Sequence, residues 1–200
     1  MGKFIVLYGA NNLGKSRQLD LLEDRWRDLG RGFRRIKYPI YGSFTGEVIN
    51  AALRGEKEER LALNAQELQF LFAEDRRLFE PELWRLLSMG DVLAEDYVGT
   101  GLAWGLTFGV DRGVLNEYNS GLLRPDIEIL LDGERFTGGI ERGHRHEGAG
   151  NEIWEKNRKI HLELAREFGW ETVQANGSEQ EVHERIMGVI RAVLTDTERD

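Results

Sequence analysis

The sequence predicts an α/β fold, a five-stranded parallel sheet with helices on both faces. Two observations predict it. Five short apolar runs alternate with longer segments of helical period, the pattern of strands joined by crossover helices. The first run also leads straight into Gly9-Ala10-Asn11-Asn12-Leu13-Gly14-Lys15-Ser16. This is a G-x-x-x-x-G-K-[ST] pattern in the turn between a strand and a helix, the setting in which such a loop cradles phosphate.

The elements follow in order. Residues 3–8 read as the first strand, and Arg17 to Leu29 as the first helix. Its Leu19, Leu22, Trp26 and Leu29 share one face, and Gly30 suits the position just past its end. Residues 33–38 read as the second strand. Asn64 with Glu67 forms an N-cap pair for a helix reaching about Ser88. Strands follow at 91–95 and 127–132. Ile153, Ile160, Leu164 and Phe168 mark a further helix ended by Gly169, and the fifth strand lies at about 171–174. Ser178-Glu179-Gln180-Glu181 is a capping box for a last helix, with Val182, Ile186, Val189, Ile190 and Val193 on its apolar face. Ligands of parallel sheets bind beyond the carboxyl ends of the strands, so functional residues are expected after 8, 38, 95, 132 and 174.

Two hundred residues with 40% apolar and 31% charged content suit one globular domain, 1–200. No stretch approaches the ~20 apolar residues of a membrane span. The start, Met-Gly-Lys-Phe-Ile-Val, lacks the pattern of a secretory signal and enters a core strand at once. The chain has no cysteine, in keeping with a cytoplasmic protein. Its net charge of −8 excludes a large nucleic-acid surface, so phosphate must be held by local basic clusters.

Gly9, Asn11, Asn12, Leu13, Gly14, Lys15, Ser16 and the following Arg17 form the candidate nucleotide cradle, with ATP and Mg²⁺ as its cofactors. Backbone N–H groups wrap a phosphate, Lys15 reaches the β/γ oxygens, and Ser16 offers its hydroxyl to Mg²⁺. The amides of Asn11 and Asn12 either donate to phosphate or simply tolerate left-handed turn backbone. After the second strand, Pro39 stiffens a loop whose Tyr38 and Tyr41 either pack on a planar base or cap the core. Phe72, Arg76 and Phe79 fall on one helical face, where an aromatic and an arginine stack a base or merely mark a core edge. Glu95 and Asp96 close a buried strand, where a carboxylate is costly unless it meets a cation; one of them is the candidate second Mg²⁺ ligand. Residues 134–150 hold Arg135, Arg142, His144, Arg145 and His146 among glycines, a basic segment expected to close as a lid on polyphosphate. Arg142 and Arg145 are its candidate catalytic residues, beside Lys15.

Together and in this order, these segments resemble the thymidylate kinase family over nearly the whole chain. The resemblance implies a P-loop kinase fold with an arginine-rich lid. It identifies Phe72 as the base-stacking ring and Arg76 as the arginine four residues later. Pro39 matches the loop proline, and Thr45-Gly46-Glu47 continues as the family does. Glu95-Asp96-Tyr97 falls on an Asp-Arg-Tyr stretch, and Thr100 with Gly101-Leu102-Ala103-Trp104 on the run after it. Leu122 to Asp126 leads into the fourth strand, and Gly143 to Glu147 matches the lid. Ala175-Asn176-Gly177-Ser178 matches the loop beside the donor adenine. The implied substrate contacts are Tyr38, Tyr41, Phe72, Arg76, Tyr97, Thr100, Gly101 and Trp104, with Asn176 on the cofactor. The chain departs from the family at Asn11, where an acid is usual, and at Tyr41 and Asp96, where arginines are usual; Arg142 is expected to supply compensating charge. The activity implied is Mg-ATP-dependent phosphorylation of dTMP to dTDP by a homodimer. A deoxynucleoside kinase and a nucleotide-binding protein without turnover are the alternatives. A monophosphate acceptor needs no general base, whereas a 5′-hydroxyl benefits from a carboxylate.

Overall fold

The five apolar runs become five parallel strands in the computed structural model, which describes residues 1–54, 62–140, 144–146 and 150–197. They are β1 (Phe4–Tyr8), β2 (Phe33–Lys37), β3 (Asp91–Glu95), β4 (Ile127–Asp132) and β5 (Glu171–Gln174), in the order β2-β3-β1-β4-β5. The helices are α1 (Lys15–Asp28), α2 (Phe44–Arg54), α3 (Ala65–Met89), α4 (Val98–Thr107), α5 (Arg112–Tyr118), α6 (Asn151–Phe168) and α7 (Glu179–Thr197). Each strand lies within two residues of its expected span. Helices α2, α4 and α5 were not expected.

Strand alternation divides the core in two. Ile5 and Leu7 of β1 pack with Leu19, Leu22 and Trp26 of α1 and with Ile186 and Ile190 of α7. Phe4, Val6 and Tyr8 face the opposite way, among Leu83 and Leu87 of α3, Leu102 and Ala103 of α4, and Leu164 of α6. A period of two with both faces apolar is what a central parallel strand requires. The predicted capping boxes form. Asn64 Oδ1 accepts from Glu67 N at 2.9 Å while Glu67 Oε2 accepts from Asn64 N at 2.8 Å. Glu181 Oε2 likewise accepts from Ser178 N at 2.7 Å.

One helical face is corrected. Helix α6 spans the expected residues, but its buried side runs through Trp154, Asn157, His161, Leu164 and Ala165, leaving Phe168 exposed. The polar pair is accommodated because Asn157 Nδ2 donates to Thr107 Oγ1 at 3.0 Å and His161 Nδ1 meets the Asn157 carbonyl at 3.0 Å. Among the described residues, no helix is long and apolar enough to cross a membrane.

Candidate active site

The carboxyl ends of β1, β2 and β3 open onto one cavity of about 820 Å³. At one end lies the loop between β1 and α1. Gly14 takes left-handed backbone, φ 82°, and Asn12 does the same at φ 65°, which asparagine tolerates better than most residues. The loop is held from outside. The Asn11 carbonyl accepts from Trp154 Nε1 at 2.7 Å, and the Asn12 carbonyl accepts from Phe136 N at 2.8 Å. Lys15 Nζ donates to the carbonyls of Gly9 at 2.7 Å and Ala10 at 3.3 Å, and stands 3.6 Å from Asp96. Asn11, Asn12, Leu13, Gly14, Lys15, Ser16 and Arg17 all line the cavity. Gly9 does not. Its place is fixed by packing, since a Cβ there would lie 2.8 Å from the Leu131 carbonyl oxygen.

Beside this loop, Asn176 Oδ1 accepts from Glu134 N at 2.8 Å and joins the base of the lid segment to the β5–α7 turn. Arg17 Nε donates to Glu179 Oε2 at 2.7 Å across the rim.

Glu95 and Asp96 form the floor, and the fold treats them differently. Glu95 is buried at the tip of β3. Its two oxygens accept from Ser16 Oγ at 2.9 and 2.8 Å, and Lys37 Nζ stands 2.7 Å away. Burial raises the Glu95 pKa, but the Lys37 and Lys15 ammoniums, with the bonds from Lys37 and Ser16, outweigh it and hold the carboxyl below its usual range. Asp96 sits on left-handed backbone, φ 63°, and accepts from Thr100 Oγ1 at 2.8 Å. Burial pushes its carboxyl up; Lys15 opposes this and the charge of Glu95 adds to it. Among the described residues, no three His, Cys, Asp or Glu side chains gather as a metal cluster. Mg²⁺ needs less than that, because it keeps waters and phosphate oxygens as ligands. The Ser16 hydroxyl beside the ionised Glu95 is a hard-oxygen pair that fits it.

At the far end, α3 turns Gln69, Phe72 and Arg76 into the cavity. Arg76 is buried, with one terminal nitrogen on the Tyr97 carbonyl at 3.4 Å and the other on Asn119 Oδ1 at 2.9 Å. Its Nε has no partner among the described residues, and burial lowers its pKa to about 10. It makes no ion pair among the described residues, so this end of the cavity carries a buried, uncompensated cation. Gly101 makes room for it, because a Cβ there would lie 2.9 Å from the guanidinium.

Helix α4 adds Trp104, whose ring stacks on His146 with centroids 4.1 Å apart. Asp75 of α3 fixes the loop after β2. It accepts from Ile40 N, Ser43 Oγ and Thr45 Oγ1, each at 2.8 Å. That loop presents Tyr41, which takes a hydrogen bond from Arg54 at 2.7 Å beneath the same guanidinium.

Several expectations need correcting. Tyr38 and Tyr97 line the cavity but are almost fully buried, their rings meeting at a 49° tilt with centroids 5.1 Å apart. They are core residues with one edge in the site. Arg145 does not line the cavity; its guanidinium donates to the Leu63 carbonyl at 2.8 Å, and its N–H to the Leu53 carbonyl at 2.9 Å. Arg142 lies outside the described residues. The lid segment instead brings Arg135, His144 and His146 to the cavity. Sequence reasoning missed Lys37, Arg54 and Gln69. Only the inward spacing of Gln69 before Phe72 signalled any of them.

A model of the thymidylate kinase family matches residues 7–186. The thymidylate kinase of Schizosaccharomyces pombe is 27% identical over 201 residues, covering 96% of this chain and 93% of that protein. The probable thymidylate kinase of Pyrococcus abyssi is 30% identical over 207 residues, covering 96% and 98%. A solved thymidylate kinase from Candida albicans superimposes with a TM-score of 0.81 at 19% identity, over 96% of this chain and 92% of that one. At that identity the likeness is one of fold, the five-stranded P-loop kinase architecture.

Proposed function

Because this chain belongs to the thymidylate kinase family of phosphotransferases, we propose that it transfers the γ-phosphoryl group of ATP to dTMP, giving dTDP and ADP. One observation carries the reading. A single cavity joins the phosphate loop to a second compartment that offers an aromatic ring, Phe72, and a buried cation, Arg76, without an ion pair among the described residues. A nucleotide donor at one end and a flat, anionic acceptor at the other fill those needs in one in-line arrangement.

The chain's own groups divide the work. Lys15 and the loop N–H groups hold the donor phosphates, and Arg17, Asn176 and the β5–α7 turn border the adenine end. Ser16 and Glu95 would hold Mg²⁺, which neutralises charge on the transferred group. Asp96 instead tethers Lys15. Lys37 and Arg54 supply positive charge near the acceptor phosphate, where Tyr41 and Asp96 bring none. Phe72 stacks the base, with Arg76 at its edge and Trp104 closing the pocket. The engaged carboxylates favour a monophosphate over a nucleoside. Glu95 is occupied by Ser16 and Lys37, and Asp96 by Thr100 and Lys15, so neither of these two floor carboxylates is poised as a base for a 5′-hydroxyl.

The same reading places the enzyme in the cytoplasm with its nucleotide substrates. It pairs two copies through the exposed Phe70, Leu78, Trp84 and Met89 of α3, a prediction for sedimentation equilibrium. The test of function is an ADP-release assay with Mg-ATP and a panel of acceptors. Release with dTMP and little with thymidine is expected; the reverse order would overturn the reading.

A further inference from the structure

Gln69 has no role in the chemistry above, yet its setting is unusual. It lies one turn before Phe72 on the cavity face of α3, and Arg76 follows at i+7. It is 3% exposed, and its carboxamide oxygen has no hydrogen-bond partner among the described residues. The neighbouring wall is apolar: Phe72 packs on a cluster of Ile49, Ala52, Leu53 and Leu68, and Leu53 lines the same cavity as Gln69. A leucine or methionine would fill this space without burying an unpaired amide, so packing alone does not explain it. The partner for that amide must come from the cavity.

Its neighbours define what that partner is. Phe72 offers a face on which a flat ring stacks. Arg76 can only donate hydrogen bonds, and two of its five N–H groups hold Tyr97 and Asn119. A ring on Phe72 therefore meets a fixed donor on the Arg76 side and an amide on the Gln69 side. A carbonyl satisfies the donor. In a 4-keto pyrimidine that carbonyl is flanked by C5–H or C5-methyl on one side and by N3–H on the other; of the two, N3–H is the donor that needs an acceptor, and Gln69 offers one. Rotation about the broad terminal torsion of glutamine brings its oxygen to that N–H.

From this juxtaposition we infer that Gln69 is a specificity-determining residue, whose carboxamide oxygen accepts the N3–H of a 4-keto pyrimidine while Arg76 donates to the 4-carbonyl. The inference rests on the acceptor assignment made above and names the edge that is read. A 4-amino pyrimidine presents the opposite pattern. Its amino group opposes the guanidinium donor to donor, and its bare N3 meets the carboxamide oxygen acceptor to acceptor. Such a mismatch leaves buried polar groups unpaired on both sides.

The test measures binding by calorimetry with the full chain, wild type and Gln69→Met, using dTMP, dCMP and N3-methyl-dTMP, with ATP as a control ligand. ADP release is followed in parallel. Wild type should prefer dTMP to dCMP and reject the N3-methyl compound. Gln69→Met should bind dTMP about tenfold more weakly and lose about tenfold of its preference over dCMP, with ATP affinity unchanged. The wild-type comparison of dTMP with its N3-methyl form needs no variant, so it can refute the inference even if Gln69→Met fails to fold. Equal binding of those two by wild type overturns the inference, and so does an unchanged dTMP preference in a folded Gln69→Met. Base preference that depends on Gln69 without any ADP release supports the inference and overturns the kinase reading instead.

Discussion

Replacing Gly101 by alanine sets two effects against each other. Gly101 lies inside α4 without left-handed backbone, so helix propensity alone favours alanine by about 0.5–1 kcal/mol. The tertiary structure opposes this. The new Cβ would lie 2.9 Å and 3.1 Å from the two terminal nitrogens of Arg76 and 3.4 Å from its Cζ. Carbon contacts settle near ~3.5 Å or beyond, so the guanidinium must retreat by a few tenths of an ångström. It has little slack, held as it is by Asn119 at 2.9 Å and the Tyr97 carbonyl at 3.4 Å. Overpacking a buried site costs about 1–3 kcal/mol, so the net effect is a loss of about 1 kcal/mol of stability. Catalysis suffers too. A shift of ~1 Å in a positioning group costs about 100-fold, so a shift of a few tenths should raise KM for dTMP about tenfold. The assay is steady-state ADP release with each substrate varied in turn, beside thermal denaturation. KM for ATP should stay within about twofold, because the loop end is untouched. Gly188→Ala in α7 is the control, since nothing lies within 4 Å of its new Cβ. It should gain about 0.5–1 kcal/mol and leave the kinetics alone. If Gly101→Ala is stabilised like this control, or its KM for dTMP is unchanged, the assignment of Arg76 to the acceptor is wrong.

Three further outcomes follow from the same geometry. Arg54→Ala should raise KM for dTMP about tenfold while sparing ATP, by loss of one charge-assisted contact; equal rises for both substrates would remove Arg54 from the acceptor end. Asp75→Ala strands three donors of the loop after β2 and should cost about 2–4 kcal/mol in urea denaturation. A loss under about 1 kcal/mol would mean that the loop does not depend on Asp75. Acid should destabilise the protein through two buried histidines. Burial lowers the pKa of His146 and of His161 to about 3, against an ordinary 6.5. Between those values the unfolded chain binds more protons than the folded one, so stability is intact above pH 6.5 and falls as pH drops below it. Each histidine contributes a slope of at most about 1.4 kcal/mol per pH unit. His146→Phe, which keeps a ring against Trp104, should flatten the fall in Tm between pH 6.5 and 5; an unchanged slope would show that His146 does not titrate this way.

The sequence by itself determined what local rules determine. Short apolar runs located the strands, caps such as Asn64–Glu67 and Ser178–Glu181 located helix starts, and the contiguous loop 9–16 located the donor end. These signals are carried by neighbours in the chain, so they can be read there. Helix α4 was missed because Gly99, Gly101 and Gly105 weaken its local helical signal. They are glycine for tertiary reasons: a Cβ at each would meet Trp170, Arg76 or Leu115 within 3 Å. In α6 the buried face goes to Asn157 and His161, because Thr107 on a different helix supplies the polar partner. Only the tertiary structure separated Glu95, bound to Ser16 and Lys37, from Asp96, bound to Lys15 and Thr100. It also turned Arg145 away from the cavity and brought Lys37, Arg54 and Gln69 to its wall. The acceptor end is assembled from β2, α2, α3, α4 and the lid segment, residues separated by up to about a hundred positions. No local period encodes that convergence; the packing of helices onto one edge of the sheet creates it.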